Sequence, residues 1–412
     1  VLLATIGPPL DWPRLRHEAS ASRPWTAWAR LVVRYRKSAV VLGTAVLVAL
    51  LVPLVSMRMG EPSSTSLAQG GSAHDALAQL TGGGVPSGIL TPIEVLTRAG
   101  AAERLASQLG HLPAVDTAIS PGTPEYHRAG TAVVDVLPMA ETSSPAGRQT
   151  LAAVRSVAKA DPGVLGVGGT GAFEVDFVHA VYGNFPFMLA LIALLTFVLL
   201  SRAFRSVVLA AKAVVLNLAS VGAAFGVMVL VWQLGHGSQT LYGIPATGSI
   251  TVWVPVMVFA FLFGLSMDYE VFILSRMREE YDATGSTPTA VVEGIGRTGR
   301  LVTSAALILF LAFVSMSTAP VTDLKVMATG LGAGILLDAL VVRTLLVPAL
   351  VGVLGRWNWW LPRRAAKLLR VAPSPLEPRG GGGPGAPAPA LAPALAVPGS
   401  RGGASLPLGS GS

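Results

Sequence analysis

The sequence contains no cysteine. That excludes disulfide frameworks, thiolate metal sites and cysteine nucleophiles, and it leaves the redox compartment unreadable. Charge is scarce as well: Asp, Glu, Lys and Arg make up 13% of the 412 residues, against about 25% in an ordinary soluble domain. Hydrophobic residues make up 52%, so the chain is expected in a bilayer. Its Lys and Arg number 30 against 22 Asp and Glu, a formal charge of +8. In a soluble protein that excess would suggest nucleic acid; here cytoplasmic loop charge accounts for it, and no nucleic-acid partner is expected. There is no strand–turn–helix nucleophile elbow and no metal-spaced His/Glu set. Gly82-Gly83-Gly84 lacks the Lys-Ser/Thr of a phosphate-binding loop. Neither an enzyme nor a bound cofactor or metal is expected. Without an ATP site, a transporter must draw on an ion gradient, worth about 2.3 kcal/mol per charge per 100 mV.

What is present is a series of long apolar runs. Six are long enough to cross a hydrocarbon core, which takes roughly 17 to 25 helical residues: Ala39–Met57, Phe185–Ser201, Val207–Trp232, Val252–Leu274, Leu301–Thr318 and Val326–Leu354. The first is not a signal peptide, because Arg30, Arg34, Arg36 and Lys37 lie in a long preceding segment and no small-residue cleavage site follows. Lys and Arg sort the short loops. Residues 1–38 hold seven, 275–300 four and 355–370 five, and Arg202 and Arg205 fill the turn after the second run. On the other side 233–251 holds none and 319–325 holds only Lys325. The positive-inside rule therefore predicts both ends in the cytoplasm and 58–184 outside.

The segment 58–184 is different material. Strand-like runs at Ile89–Leu96, Val115–Ile119, Ala132–Leu137 and Val164–Val167 alternate with helix-like runs at Ala73–Leu80, Ala99–Leu109 and Pro145–Ala160. The last is preceded by Ser143-Ser144 as candidate caps. Such alternation predicts a compact α/β domain. The expected organisation is thus a cytoplasmic segment at 1–38, a first span at 39–57, an extracytoplasmic α/β domain at 58–184, a five-helix bundle at 185–354 and a basic cytoplasmic segment at 355–370. Residues 371–412, rich in Gly, Pro and Ala, are expected to be disordered. The opening Leu2–Gly7 and Trp12-Pro13-Arg14 echo Leu350–Gly355 and Trp360-Leu361-Pro362-Arg363. The echo suggests that the chain starts in the last turns of a preceding span.

Five charged residues sit within the apolar runs: Lys212, Asp268, Glu270, Asp338 and Arg343. A centrally placed Asp or Arg costs roughly 2.5–3.5 kcal/mol on insertion scales, so these groups are expected to face the bundle interior and to have a use there. Asp268 lies too deep in its run to reach the headgroups, with Gly264 one turn before it and Tyr269 after it. Glu270 is nearer the cytoplasmic end, where it either shares the function or pairs with Arg276 or another loop cation. Asp338 follows Gly330, Gly332 and Gly334, a small-residue run that permits tight packing, and buttresses other helices in a structural or functional role. Arg343 is five positions on, about 140° around an α-helix, which predicts that the two are not an intrahelical pair. Lys212 is expected to snorkel to the basic edge.

Three motif groups carry a family resemblance. Phe263–Phe272 (FGLSMDYEVF) with Ser275–Tyr281 (SRMREEY), Gly296–Arg300 with Thr303-Ser304-Ala305-Ala306, and Gly334–Ala339 with Arg343–Ala349 all resemble the MMPL family of the RND superfamily. The resemblance covers about residues 30–360. It implies an α-helical polytopic membrane protein with six transmembrane helices and a porter-like outer domain, the repeat that this superfamily uses twice. It further implies a proton relay at Asp268 and Tyr269, with Ser304, Asp338 and Arg343 as candidates for its support. Complete members carry a second Asp-Tyr pair, and this sequence has one, so a second RND half or a homo-oligomer is the expected protein partner. The implied activity is proton-driven export of lipids or other hydrophobic molecules across the bacterial plasma membrane. The alternative is a non-transporting truncated half, or a scaffold for cell-envelope enzymes.

Overall fold

The computed structural model describes residues 21–62, 64 and 71–374. The echo at residues 1–16 and almost all of the tail expected at 371–412 lie outside them. Among the described residues, six helical segments are long and apolar enough to cross a membrane. The described residues open with α1 (Arg23–Arg34), which buries Thr26, Ala29 and Val32 and leaves its arginines exposed. The first span, α2 (Arg36–Leu51), runs on as a 3₁₀ turn over Val52–Ser56. Pro53 lies in that turn, and Pro supplies no N–H to continue the ladder.

A short helix α3 (Ser72–Gly82) leads into a five-stranded sheet. Its strands are β1 (Ile93–Arg98), β2 (Val115–Ile119), β3 (His127–Arg128), β4 (Thr131–Pro138) and β5 (Val164–Gly168). Helix α4 (Ala102–Gly110) links β1 to β2, and α5 (Pro145–Ala160) links β4 to β5. The order is β2-β4-β1-β5, with β3 beside β4 and every pairing antiparallel. This is a split βαβ arrangement, in which β4 lies between β1 and β2. The expected alternation of strands and helices is present, but it yields a small antiparallel sheet, because the strand after each crossover is never placed next to the strand before it. Along β1 burial alternates strictly, and Ile93, Val95, Val134 and Val136 pack with Leu105, Leu109, Leu151 and Val154. Ser144 caps α5, its hydroxyl accepting from the Gly147 N–H. Strand β1 begins four residues later than predicted, because Ser87–Leu90 winds into a 3₁₀ turn.

The remaining spans follow as α6 (Thr170–Phe204), α7 (Val207–Met228), α9 (Val254–Thr284), α10 (Thr287–Met316) and α11 (Thr322–Leu336), with a short α8 (Ser238–Tyr242) between α7 and α9. Two spans change pitch. α7 continues as π-helix over Val229–Gln233, and α11 continues as π-helix over Leu337–Leu346 before returning to α in α12 (Val347–Leu354). α6 is continuous, so the sheet domain and the second span share one helix with no break near residue 184. The loop expected at 275–300 is almost wholly helical. Only Gly285 and Ser286 separate α9 from α10: Gly285 takes φ 64°, the left-handed value that favours glycine, and Ser286 accepts from the Thr289 N–H. Helix α13 (Arg363–Leu369) is the last described helix.

Small residues set the helix spacing. A Cβ at Gly226 would overlap the Leu50 carbonyl of α2. At Gly334 it would overlap the Leu262 side chain of α9. The glycine run before Asp338 therefore does permit the close packing its composition suggests.

Candidate functional site

Three spans converge on a buried polar cluster. α9 supplies Ser266 and Glu270, α7 supplies Lys212 and Asn217, and the π-helical stretch after α11 supplies Asp338 and Arg343; all six are buried. Asp338 and Arg343 form an ion pair through Asp338 Oδ2 and Arg343 Nη2. The expectation from α-helical spacing is therefore corrected. With i→i+5 bonding the turn is wider, so a residue five positions on lies much nearer its predecessor's face than the roughly 140° of an α-helix, and the change of pitch allows the pair. Ser266 ties α9 to it. The Ser266 hydroxyl donates to Asp338 Oδ2 at 2.8 Å, and Arg343 Nη2 donates to the Ser266 carbonyl at 2.9 Å.

The cluster holds two cations and two carboxylates. Glu270 does not pair with Arg276, which bonds Glu279 at 2.7 Å; it lies instead within electrostatic range of Asp338, Arg343 and Lys212. Lys212 does not snorkel: its Nζ is buried and faces Asn358 Oδ1 at 3.4 Å. Both departures follow from cost. A lone buried charge is penalised heavily, and gathering opposite charges in one place lowers that penalty for each. Asn217 Oδ1, Glu270 Oε1 and Arg343 Nε have no protein hydrogen-bond partner. A cavity of about 20 Å³ is lined by Asn217, Ser266, Tyr269, Asp338 and Arg343, which is room for a single water.

Asp268 stands elsewhere. It is exposed on the outer face of α9, in line with Phe261 and Phe272, and no atom approaches the Cβ direction of Gly264 one turn before it. The expectation that every charge in a span faces the interior fails here. Tyr269, one residue on, is turned about 100° and half-buried. Its ring lies beneath the Arg343 guanidinium, 5.2 Å from centroid to Cζ. The Asp-Tyr pair thus has one member facing outward and one touching the buried cluster. Ser304 is exposed on α10, bonds the Leu301 carbonyl at 2.9 Å and does not join the cluster. Sequence reasoning missed Asn217 and the grouping of Lys212 with Glu270. The available signal was a Lys and an Asn five apart in an otherwise apolar run.

A second charged locus ties the sheet domain to the bundle. The Gly60 N–H donates to the Ile250 carbonyl at 3.1 Å and the Ile250 N–H to the Arg58 carbonyl at 2.8 Å. The Glu61 N–H donates to Glu174 Oε2 at 3.3 Å, the Ser249 hydroxyl to the Glu61 carbonyl at 2.9 Å, and the Thr251 hydroxyl to Asp323 Oδ1 at 2.6 Å. Burial, then the Asp323 and Glu174 carboxylates, push the Glu61 carboxyl up to about 7 from 4.5. A folded-state value above the unfolded one means that the native junction prefers the protonated form. Its contribution is fully present below pH 4.5 and is lost as pH rises through 7. The wild-type melting temperature should therefore fall from pH 5 to pH 8 more than that of Glu61→Gln. Parallel pH profiles in thermal melts would show that Glu61 is not the titrating group.

Among the described residues no group of three or more His, Asp or Glu side chains is placed to hold a metal. The sequence profile of the MMPL family matches residues 126–375. The chain is 35% identical over 387 residues to the mycolic acid-containing lipids exporter MmpL11 of Mycolicibacterium smegmatis, covering 87% of this chain and 39% of that protein. It is 34% identical over 377 residues to the heme uptake protein MmpL11 of Mycobacterium tuberculosis, with 87% and 38% covered. It is 39% identical over 202 residues to the trehalose monomycolate exporter MmpL3 of the same organism, with 49% and 21% covered. The chain spans about two fifths of the length of the MmpL11 relatives it matches.

Proposed function

The chain belongs to the MMPL family, and from that membership we propose that it works as one half of a proton-driven RND exporter of lipids or other hydrophobic molecules. The observation that carries the reading is the outward-facing Asp268 beside an inward-facing Tyr269. A carboxylate on a lipid-facing surface at mid-span is costly. Covering by a second copy or another half lowers that cost and brings a second charged helix to the same plane. Asp268 then cycles between neutral and charged forms, and Tyr269 transmits the change to Arg343 and through it to Asp338 and α9. That path joins α9 to the π-helical stretch after α11, so proton movement shifts the packing of these two spans. The sheet domain, continuous with α6, moves as a porter domain. The lipid exporters among its relatives support a hydrophobic substrate.

In this reading both ends are cytoplasmic and the sheet domain lies outside the plasma membrane, which the Lys/Arg bias of the short loops supports. Proteoliposomes test function and orientation together. Orientation is scored with an impermeant thiol reagent on Thr123→Cys and Ala283→Cys, two exposed sites in a cysteine-free chain. A fluorescent lipid should move toward the Thr123 side, only with a proton gradient and only when the partner half or a second copy is present. Movement that survives a protonophore, or that runs toward the Ala283 side, would overturn the proposal.

A further inference from the structure

Between α10 and α11, at the end of the bundle nearest the sheet domain, lies a groove of about 260 Å³. Its walls include Tyr242, Phe310, Phe313, Thr329, Gly332 and Ala333. Its floor is closed where α10 meets α11: a Cβ added at Gly332 would stand 3.5 Å from the Phe310 ring, an ordinary contact. Its mouth is polar. Lys325, in the first turn of α11, holds its ammonium 5.6 Å from the Tyr242 ring centroid. Tyr242 is itself stacked on the buried Trp232, with centroids 5.1 Å apart. The cation is therefore held at one place rather than swinging on its stem.

Lys325 is the only Lys or Arg in the two short loops on that side of the chain. Among the described residues it enters no ion pair. The neighbouring acid, Asp323, is two positions away and is engaged by Thr251. From Lys325 to Leu336 α11 advances roughly 16 Å at 1.5 Å per residue, about half of a 30 Å hydrocarbon core. The distance from Lys325 to the far end of the groove is thus about one leaflet. The lining itself, from Ala328 to Leu336 on α11, is mostly apolar, with Ser317 and Thr329 as polar members, and Lys325 stands at its mouth over Tyr242.

We propose that this groove holds one anionic phospholipid of the surrounding bilayer, its phosphate on the Lys325 ammonium and one acyl chain lying along the surface formed by Phe310, Phe313, Gly332 and Ala333. The occupant is a resident lipid, distinct from any exported molecule. The inference needs only that the chain spans a bilayer.

The test is native mass spectrometry of the full chain released from nanodiscs of phosphatidylcholine and phosphatidylglycerol in equal amounts. Wild type should keep one phosphatidylglycerol in preference to phosphatidylcholine. Lys325→Gln should weaken that retention about fivefold, the effect of one cation near a membrane surface, and Lys325→Arg should restore it. Ala333→Leu, which places an isobutyl group in the groove and leaves the mouth intact, should abolish retention of either lipid at this site. Each variant's melting temperature is measured beside it, so loss of lipid is distinguished from loss of fold. Equal retention of the two lipids by wild type, or unchanged retention in Lys325→Gln, would refute the site. So would a polypeptide partner crosslinking to this face from Ala333→Cys.

Discussion

On the proposed relay, Asp268→Asn should reduce proton-coupled lipid export to background while leaving expression and membrane insertion intact. The substitution keeps the size and hydrogen-bonding reach of the side chain and removes only its ability to carry a charge. Because Asp268 is exposed on α9 and bonds no other side chain among the described residues, its loss breaks nothing in the packed bundle they form, and a neutral amide is easier to insert than a carboxylate. A silent structural phenotype with a lost transport phenotype is the signature of a proton carrier. Tyr269 supplies the internal comparison. Tyr269→Phe keeps the ring under Arg343 and loses one hydroxyl, so export should fall several-fold without vanishing. Tyr269→Leu removes the ring as well and should also lower the melting temperature, since the guanidinium loses its cation–π partner. Efflux is measured in energised vesicles with protein matched by immunoblot and with the partner half or second copy present. Wild-type efflux by Asp268→Asn would make Asp268 a packing residue and end the relay assignment.

The spans and most strands were legible because each rests on a local pattern. Apolar runs of bilayer length became the six membrane-length segments, and alternating apolar residues at Val115–Ile119 and Ala132–Leu137 became strands. The charged ends of α9 and α10 were read as a loop because hydropathy marks where lipid ends, not where a helix ends. The pairs Arg276–Glu279 and Arg297–Glu280 continue both helices into water. The candidate site was only half legible. Asp268 and Tyr269 could be picked out by depth and by resemblance, yet which way each faces depends on neighbouring helices that a single run does not encode. The Asp338–Arg343 pair was misread for a different reason. Every argument from spacing assumed 3.6 residues per turn, and the chain departs from that value over Leu337–Leu346.

That departure leads to the largest expected effect on stability. Arg343→Leu should destabilise the protein by about 3–5 kcal/mol, the usual cost of removing one member of a buried ion pair. The guanidinium holds Asp338, the Ser266 carbonyl and the Tyr269 ring at once. Without it two carboxylates, Asp338 and Glu270, remain buried with Lys212 as the single cation of the cluster. Arg343→Lys should recover little, because an ammonium is a point charge and cannot bridge a carboxylate, a carbonyl and an aromatic face together. The double variant Asp338→Leu, Arg343→Leu removes both charges and should be far more stable than Arg343→Leu alone, since replacing a whole buried pair by apolar residues is close to neutral. Thermal and denaturant unfolding in detergent of wild type, Asp338→Leu, Arg343→Leu and the double variant closes a double-mutant cycle. A coupling energy within about 0.5 kcal/mol of zero is the additivity expected of independent sites. It would mean that the π-helical pairing contributes nothing, and that Arg343 acts only through Tyr269 and Ser266.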